Sequence, residues 1–418
     1  LSLSFSTQIL SKMVNFNDNY NHTKTTKFLH DVCKFVHILG LPNFWFQDLA
    51  LSKAFNNFDV INKIGNLGVC IMLLSEYCAY FTQNNLSESQ QSNLHMFSIS
   101  NTLVASFFFR MASQRVEVKE IIHKLGLQLK SYNDRHVEER MIKKSVFFSA
   151  ALVLSCLSVV CMITLEAIWK VVFNGKYFLS SLKFNRATYS TIITAWPDMD
   201  DRSAGANIIR AAFNVCWWIY LGRTFAVYTI VICLTVGIGH QYQNLNSYFC
   251  GLNIIFEKDS TQREKEEEYE HGFKVGIRLH VETLKCIKKI QRVCGYVYSG
   301  QIVFNIIVII ILMYQLNSSR NLTMAVRAVA TGLTILASTG FFMWNAGDIT
   351  VEAEKLPTAM FSSGWDNCHR VSSVRVRKLV VIALMQAQRP VMLYLPLIRS
   401  NVLFQIVKSS YSVFSMLY

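Results

Sequence analysis

Three ionisable side chains, Glu76, Glu166 and Arg223, fall within or at the ends of long apolar stretches. A charge surrounded by hydrocarbon is costly, so each is a candidate functional group. For Glu166 and Arg223, close to the ends of their stretches, a charge reaching to an interface or paired between helices is the other reading. The patterns of enzyme chemistry are missing: there is no HExxH, no P-loop, no GxSxG and no GxGxxG between strand and helix. The eleven cysteines lie at irregular spacings, without a CxxC pair or a Cys/His cluster at metal-ligand distances. They predict neither a zinc site nor a disulfide scaffold, and most read as apolar filler in helices. Neither catalysis nor a cofactor is expected.

The elements that must carry these groups follow from composition. A chain of 418 residues that is 52% hydrophobic and only 16% charged is too apolar for one soluble domain, so several membrane spans are expected. Windows of about 20 apolar residues, enough to cross a hydrocarbon core, run from Ile61 to Phe81, Leu94 to Met111, Val146 to Trp169, Ile208 to Ile238, Val297 to Leu316 and Met324 to Trp344. A seventh, from Pro390 to Leu417, is broken by polar residues. An amphipathic stretch from Phe28 to Phe46, too interrupted by charge to span, reads as a helix lying at the membrane surface. The opening LSLSFSTQILSK lacks an initiator and Met13 follows it, so Met13 is the expected start; neither segment has the form of a secretory signal.

Lys and Arg gather in the cytoplasmic loops of membrane proteins. The connection after the second span holds Arg115, Lys119, Lys124, Lys130, Arg135, Arg140, Lys143 and Lys144, and those after the fourth and sixth are similarly basic. The connection from Thr82 to Asn93 has no Lys or Arg. Even-numbered loops are therefore expected inside, which puts the N-terminus in the cytoplasm and the C-terminus outside, the reverse of a G-protein-coupled receptor. Acceptor sequons at Asn85, Asn317 and Asn321 fall in outer loops, although Asn21 makes another on the inner side. The formal charge of +14 is spread over loops that flank the membrane, which fits attraction to anionic membrane lipid and not nucleic acid. The run Glu264 to Glu270 reads as a solvated helix face, or else as negative potential on a cation path. Helical spacing at Phe273, Ile277, Leu284 and Ile287 predicts that the fifth span continues as a long helix below the membrane, and Val371 to Ala387 behaves alike. Such faces need partners, and neighbouring subunits are the natural ones.

The C-terminal part carries a family resemblance. Gln388, Arg389 and Pro390, then Lys408, Ser410, Tyr411, Ser412 and Phe414, resemble the turn and last helix of the insect odorant receptor family, and AEKLPTAMFSSGW from Ala353 to Trp365 resembles the segment before them. The fold class expected is thus all-α: a polytopic membrane protein of seven transmembrane helices, with helices extending into a cytoplasmic oligomerisation domain. Its parts are residues 1–59, cytoplasmic with the interfacial helix; 60–238, helices one to four with most of the ligand pocket; 239–296, a cytoplasmic helical segment; 297–346, helices five and six; 347–389, a cytoplasmic anchor; and 390–418, the pore-lining helix.

What the resemblance implies is the odorant- or pheromone-binding subunit of a ligand-gated, non-selective cation channel, heterotetrameric with an odorant co-receptor, in the plasma membrane of olfactory neuron dendrites. The family's pore region falls here on Ser409, Ser410, Tyr411 and Ser412, whose hydroxyls would help replace ion hydration. Lys408 is at odds with a cation path and is expected to point away. The family's pocket for a small volatile hydrophobic ligand falls on Phe97, Asn101, Met162, Leu165, Trp169, Phe213, Trp217, Met324 and Ala328, each of which ordinary helix packing also accounts for. A gustatory-type receptor is the first alternative, though Tyr418 ends the chain without that family's Gln-Phe pair. The co-receptor is the second; it calls for a longer connection than Gly239 to Gly295.

Overall fold

The computed structural model describes residues 23–46, 56–83, 86, 88–130, 132–178, 195–198, 201, 203–318, 322–369 and 372–389. Within these ranges only the backbone is described for residues 56–59, 88, 89, 163, 165–178, 318, 322–324, 327, 372 and 373.

Ten α-helices run through the described residues: α1 (Lys24–Ile38), α2 (Asn56–Thr82), α3 (Glu88–Ser113), α4 (Arg115–Gly126), α5 (Arg135–Phe178), α6 (Ala204–Gly251), α7 (Gln262–Ser318), α8 (Leu322–Glu354), α9 (Leu356–Phe361) and α10 (Ser372–Ala387). At 1.5 Å per residue, α6 and α7 are about 70 and 85 Å long, more than twice a hydrocarbon core. The predicted continuation of the fifth span below the membrane is therefore a single helix with it.

Helix α6 is the axis of the bundle. Every residue from Phe225 to Tyr242 is buried. Apolar residues all round a helix are stable only when other helices enclose it. Its most apolar window is 83% buried, against 44% in α7 and 28% in α2 and α5. The outer helices turn apolar side chains outward instead: Ile61, Ile64, Leu67 and Leu74 on α2 and Val146, Phe147 and Leu154 on α5 are all more than half or nearly half exposed. An outward apolar face along a helix of this length suits lipid. Four of the helices, α2, α5, α6 and α7, are long and apolar enough to cross a membrane. The second and sixth predicted spans are also helices, α3 and α8, but fall outside that group, α3 because polar residues such as His95, Asn101 and Arg110 are spread along it. The seventh predicted span lies outside the described residues.

Pairwise contacts fix the directions. Asn101 on α3 meets Glu76 on α2, and Tyr80 meets His95, so the two run antiparallel. Gln315 on α7 meets Asn93 while Tyr296 meets Ser106, so α7 opposes α3. One end, here the upper, holds the C-terminal ends of α2, α5 and α7. The lower end holds α1, α4, α9, α10 and the extensions of α5, α6 and α7, together with the basic connections. Many of the charges there are paired. Lys124 bonds Glu282 at 2.8 Å, Arg292 bonds Glu117 at 3.2 Å and Lys289 pairs with Glu120, a ladder that ties α4 to α7. Glu270 takes Lys274 and Arg375, each at 2.6 Å. Burial pushes its carboxyl up, but these two cations outweigh that and hold it below the usual carboxylate range. Glu266, 2% exposed, accepts the His369 amide at 2.9 Å. Two carboxylates of the acidic run are thus internal staples between α7 and the segment after α9, not part of a solvated face.

The amphipathic stretch forms α1, beginning at Lys24 and ending at Ile38, earlier at both ends than the predicted 28–46. Thr23 caps it, and Glu138 of α5 accepts from the Thr25 amide and hydroxyl at 2.6 and 2.7 Å. Its apolar face, with Leu29, Cys33 and Val36, is buried in the protein. Gly40, at φ +105°, then reverses the chain in a conformation that a side chain would strain.

Helices α3 and α7 approach closely at Gly300, where a Cβ would overlap the fully buried Phe107 ring. Replacing Gly300 by Val is expected to cost about 1–3 kcal/mol. Thermal unfolding of the purified protein in detergent should show a lower midpoint, partly restored by Phe107→Leu in the same chain. An unchanged midpoint contradicts the close approach.

Candidate functional site

Phe97 and Asn101 are four residues apart on α3 and so share one face; Phe213, Trp217 and Tyr220 do the same on α6. Because the two helices run parallel at this level, the faces meet in register. The Phe97 and Trp217 rings pack edge to face at 6.2 Å, and one turn lower the Tyr220 hydroxyl donates to the Asn101 carbonyl at 2.7 Å. The Asn101 amide, 3% exposed, donates to Glu76 Oε1 on α2 at 2.7 Å. Glu76 is fully buried, and its Oε2 has no hydrogen-bond partner. Tyr80, one turn higher on α2, bonds the Ser98 hydroxyl at 2.7 Å and His95 Nδ1 at 2.9 Å. The result is an aromatic seam between α2, α3 and α6 with a few polar groups at fixed positions.

The upper end of the seam is strapped. Residues 195–198, between α5 and α6, lie on α2: the Trp196 amide donates to the Ser75 carbonyl at 3.1 Å, the Ser75 hydroxyl donates to the Trp196 carbonyl at 2.9 Å, and Gln83 donates to the Ala195 carbonyl at 2.9 Å. Buried Arg210 on α6 anchors the same strap from below through the Asp198 and Asp201 carbonyls.

Of the predicted pocket residues, Phe97, Asn101 and Trp217 meet directly, and Phe213 is half-buried against the same core. Met162 is 37% exposed and takes no part in it. Ala328 is buried elsewhere, with Val308 and Leu312 between α7 and α8. The side chains of Leu165, Trp169 and Met324, and all of Ser409, Ser410, Tyr411 and Ser412, lie outside the described residues. Tyr220, Tyr80 and the strap were not foreseen. Only Tyr220 left a signal, three residues after Trp217 on the same face.

Arg223 has no carboxylate partner among the described residues and reaches across to the start of α2. It is 3% exposed, packs against Gly65 and Gly40, lies over the Phe108 ring at 5.3 Å and donates to the Asn62 carbonyl at 3.2 Å. All eleven cysteines are free, and no group of three or more metal-ligating side chains occurs among the described residues.

The sequence model of the 7tm Odorant receptor family matches residues 90–411. This chain belongs to that family. No curated protein matches the receptor. Among solved structures it is similar to the insect olfactory receptor OR5 from Machilis hrabei in complex with eugenol, with a TM-score of 0.72 and 15% identity over 96% of this chain and 99% of that one. It is also similar to the structure of OR5 from the same insect described without eugenol, with a TM-score of 0.68 and 13% identity over the same shares. At such identities the fold is what is common. The receptor is thus a multi-pass helical membrane protein of the insect odorant receptor family.

The Glu76–Asn101 bond yields a stability test. Asn101→Leu leaves a buried acid oxygen without its donor, at a cost of about 1–3 kcal/mol, which Glu76→Leu in the same receptor should largely remove. Unfolding midpoints of the two single variants and the double variant measure this coupling. Strictly additive effects would contradict the bond.

Proposed function

We propose that the receptor is the ligand-tuning subunit of a heteromeric, ligand-gated, non-selective cation channel, working with an odorant co-receptor in the plasma membrane of olfactory neuron dendrites. The observation that carries this reading is the strapped aromatic seam inside an odorant receptor fold. Phe97, Trp217 and Tyr220 offer apolar and aromatic surface to a small hydrophobic volatile, and Asn101 and Glu76 supply sparse polar groups that would fix its orientation. Each buried methylene of such a ligand is worth about 0.8 kcal/mol. That OR5 is described with eugenol, a small aromatic volatile, supports a ligand of this size. General odorant and pheromone both fit.

The lower end faces the cytoplasm in this reading, because the basic connections gather there. Seven crossings follow with the segment after Arg389, and Ser409, Ser410, Tyr411 and Ser412 line the pore. Lower-end α10 exposes Val374, Val381, Ile382 and Met385, all more than half exposed, a face suited to a neighbouring subunit. A tuning subunit is favoured over a co-receptor by the short connection between α6 and α7, a single 3-10 turn from Leu252 to Glu257 and four more residues. Gating requires a ligand that binds the open state better than the closed one.

Whole-cell current in cells expressing the chain with and without an insect co-receptor tests this, with plant volatiles and long-chain acetates, aldehydes and alcohols applied. The expected result is a fast cation current that needs both subunits. Trp217→Ala should raise the half-maximal concentration about tenfold, equivalent to 1.4 kcal/mol. Current from this chain alone would overturn the tuning role, and an unshifted Trp217→Ala response would overturn the seam as the pocket.

A further inference from the structure

A groove lies on the outer side of α3 and α7, touching the seam only at His95. Its volume is about 450 Å³, the size of a site for a whole small molecule. We propose that it binds a monohydroxy amphiphile of the bilayer, of sterol size. The proposal rests on α3 and α7 crossing the membrane.

The order of groups along the groove carries the inference. Gln91, Ser92 and His95 of α3 and Tyr314 of α7 line one part of it; Ile99, Ile307, Ile310 and Ile311 line the rest. The antiparallel packing, pinned by the Gln315 amide donating to Asn93 Oδ1 at 3.1 Å, sets Gln91 and Ser92 beside Tyr314 at the upper end. Ile99 and Ile307 then lie about two turns deeper. Polar groups at the membrane surface and isoleucines toward the middle repeat the order of an amphiphile standing in one leaflet. Ser92 Oγ, buried in this polar end, has no hydrogen-bond partner, and a hydroxyl group would complete it. His95 is held by Tyr80 and so presents a fixed ring.

The lining also chooses among lipids. It contains no Lys or Arg, so nothing in it would bind a phosphate headgroup, whereas a single hydroxyl matches the hydroxyl, amide and imidazole groups present. Four isoleucines, stiff at χ1, form a rigid wall better suited to a fused-ring body than to a mobile acyl chain.

The test is photolabelling of the full-length receptor, expressed with the co-receptor, by a photoreactive sterol in cell membranes, with labelled peptides mapped by mass spectrometry. Label should concentrate on peptides containing residues 91–99 and 307–314. Ile310→Trp, which fills the groove, should lower it there about tenfold, equivalent to 1.4 kcal/mol, while background label on α2 and α5 and surface expression stay unchanged. Label spread evenly over the outward faces of α2 and α5, or groove label indifferent to Ile310→Trp, would overturn the proposal. So would label on α2 and α5 with none at the groove, the result expected if a neighbouring subunit or the residues after Arg389 cover it. Release of the receptor from membranes by alkaline carbonate would show instead that the membrane reading itself had failed.

Discussion

Between Phe225 and Tyr242, helix α6 has no face that can meet water or lipid without loss of packing, because every side chain there is already buried against protein. Enclosure of this helix is the constraint that organises the molecule. Helices α2, α3, α5, α7 and α8 surround it, and α1, α4 and α9 close around its lower extension. The seam is part of the same arrangement. The upper part of α6, from Phe213 to Tyr220, is where the enclosure loosens enough for aromatic side chains and a strap to meet at a seam.

A second constraint is polar. Hydrocarbon offers no hydrogen bonds, so polar side chains inside the bundle must find one another. Tyr228 donates to Gln301 at 2.7 Å, Gln301 to Asn305 at 3.3 Å, and Asn305 to Thr339, a chain that joins α6, α7 and α8. Thr235 and Tyr298 share a bond of 2.8 Å one level lower. These contacts set the rotation of α7 and α8 about α6, which apolar packing alone leaves loose. Glu76 is one of several buried side chains that keep an unpaired atom, its Oε1 bonded to Asn101 and its Oε2 without a partner.

The helices were legible in the sequence because apolar windows of spanning length have few other meanings. What such windows could not show is whether an apolar side chain faces lipid or protein, since both environments select the same residues. Ile64 and Ile232 look alike in the sequence; one is 64% exposed and the other fully buried. The same ambiguity explains why the candidate pocket residues do not all lie together. Phe97, Asn101 and Trp217 lie on faces that helical spacing relates, whereas Ala328 depends on the rotation of α8, which hydrophobicity does not fix. Glu76 stood out as a costly charge, but its partner Asn101 lies on another helix and no local spacing connects them. The acidic run from Glu264 read as solvated because the sequence does not show that Arg375 and the His369 amide return to it.

The central claim is that the lower end, with α4, α10 and the extensions of α6 and α7, lies in the cytoplasm, so that the seam near the upper end is reached from outside. Epitope tags inserted separately at Asn84, between α2 and α3 in the sequence, and at Asp259, between α6 and α7, test this most directly, by antibody staining of intact and permeabilised cells. The account predicts staining of intact cells for the tag at Asn84 and staining only after permeabilisation for the tag at Asp259. Staining of intact cells for the tag at Asp259 would contradict it.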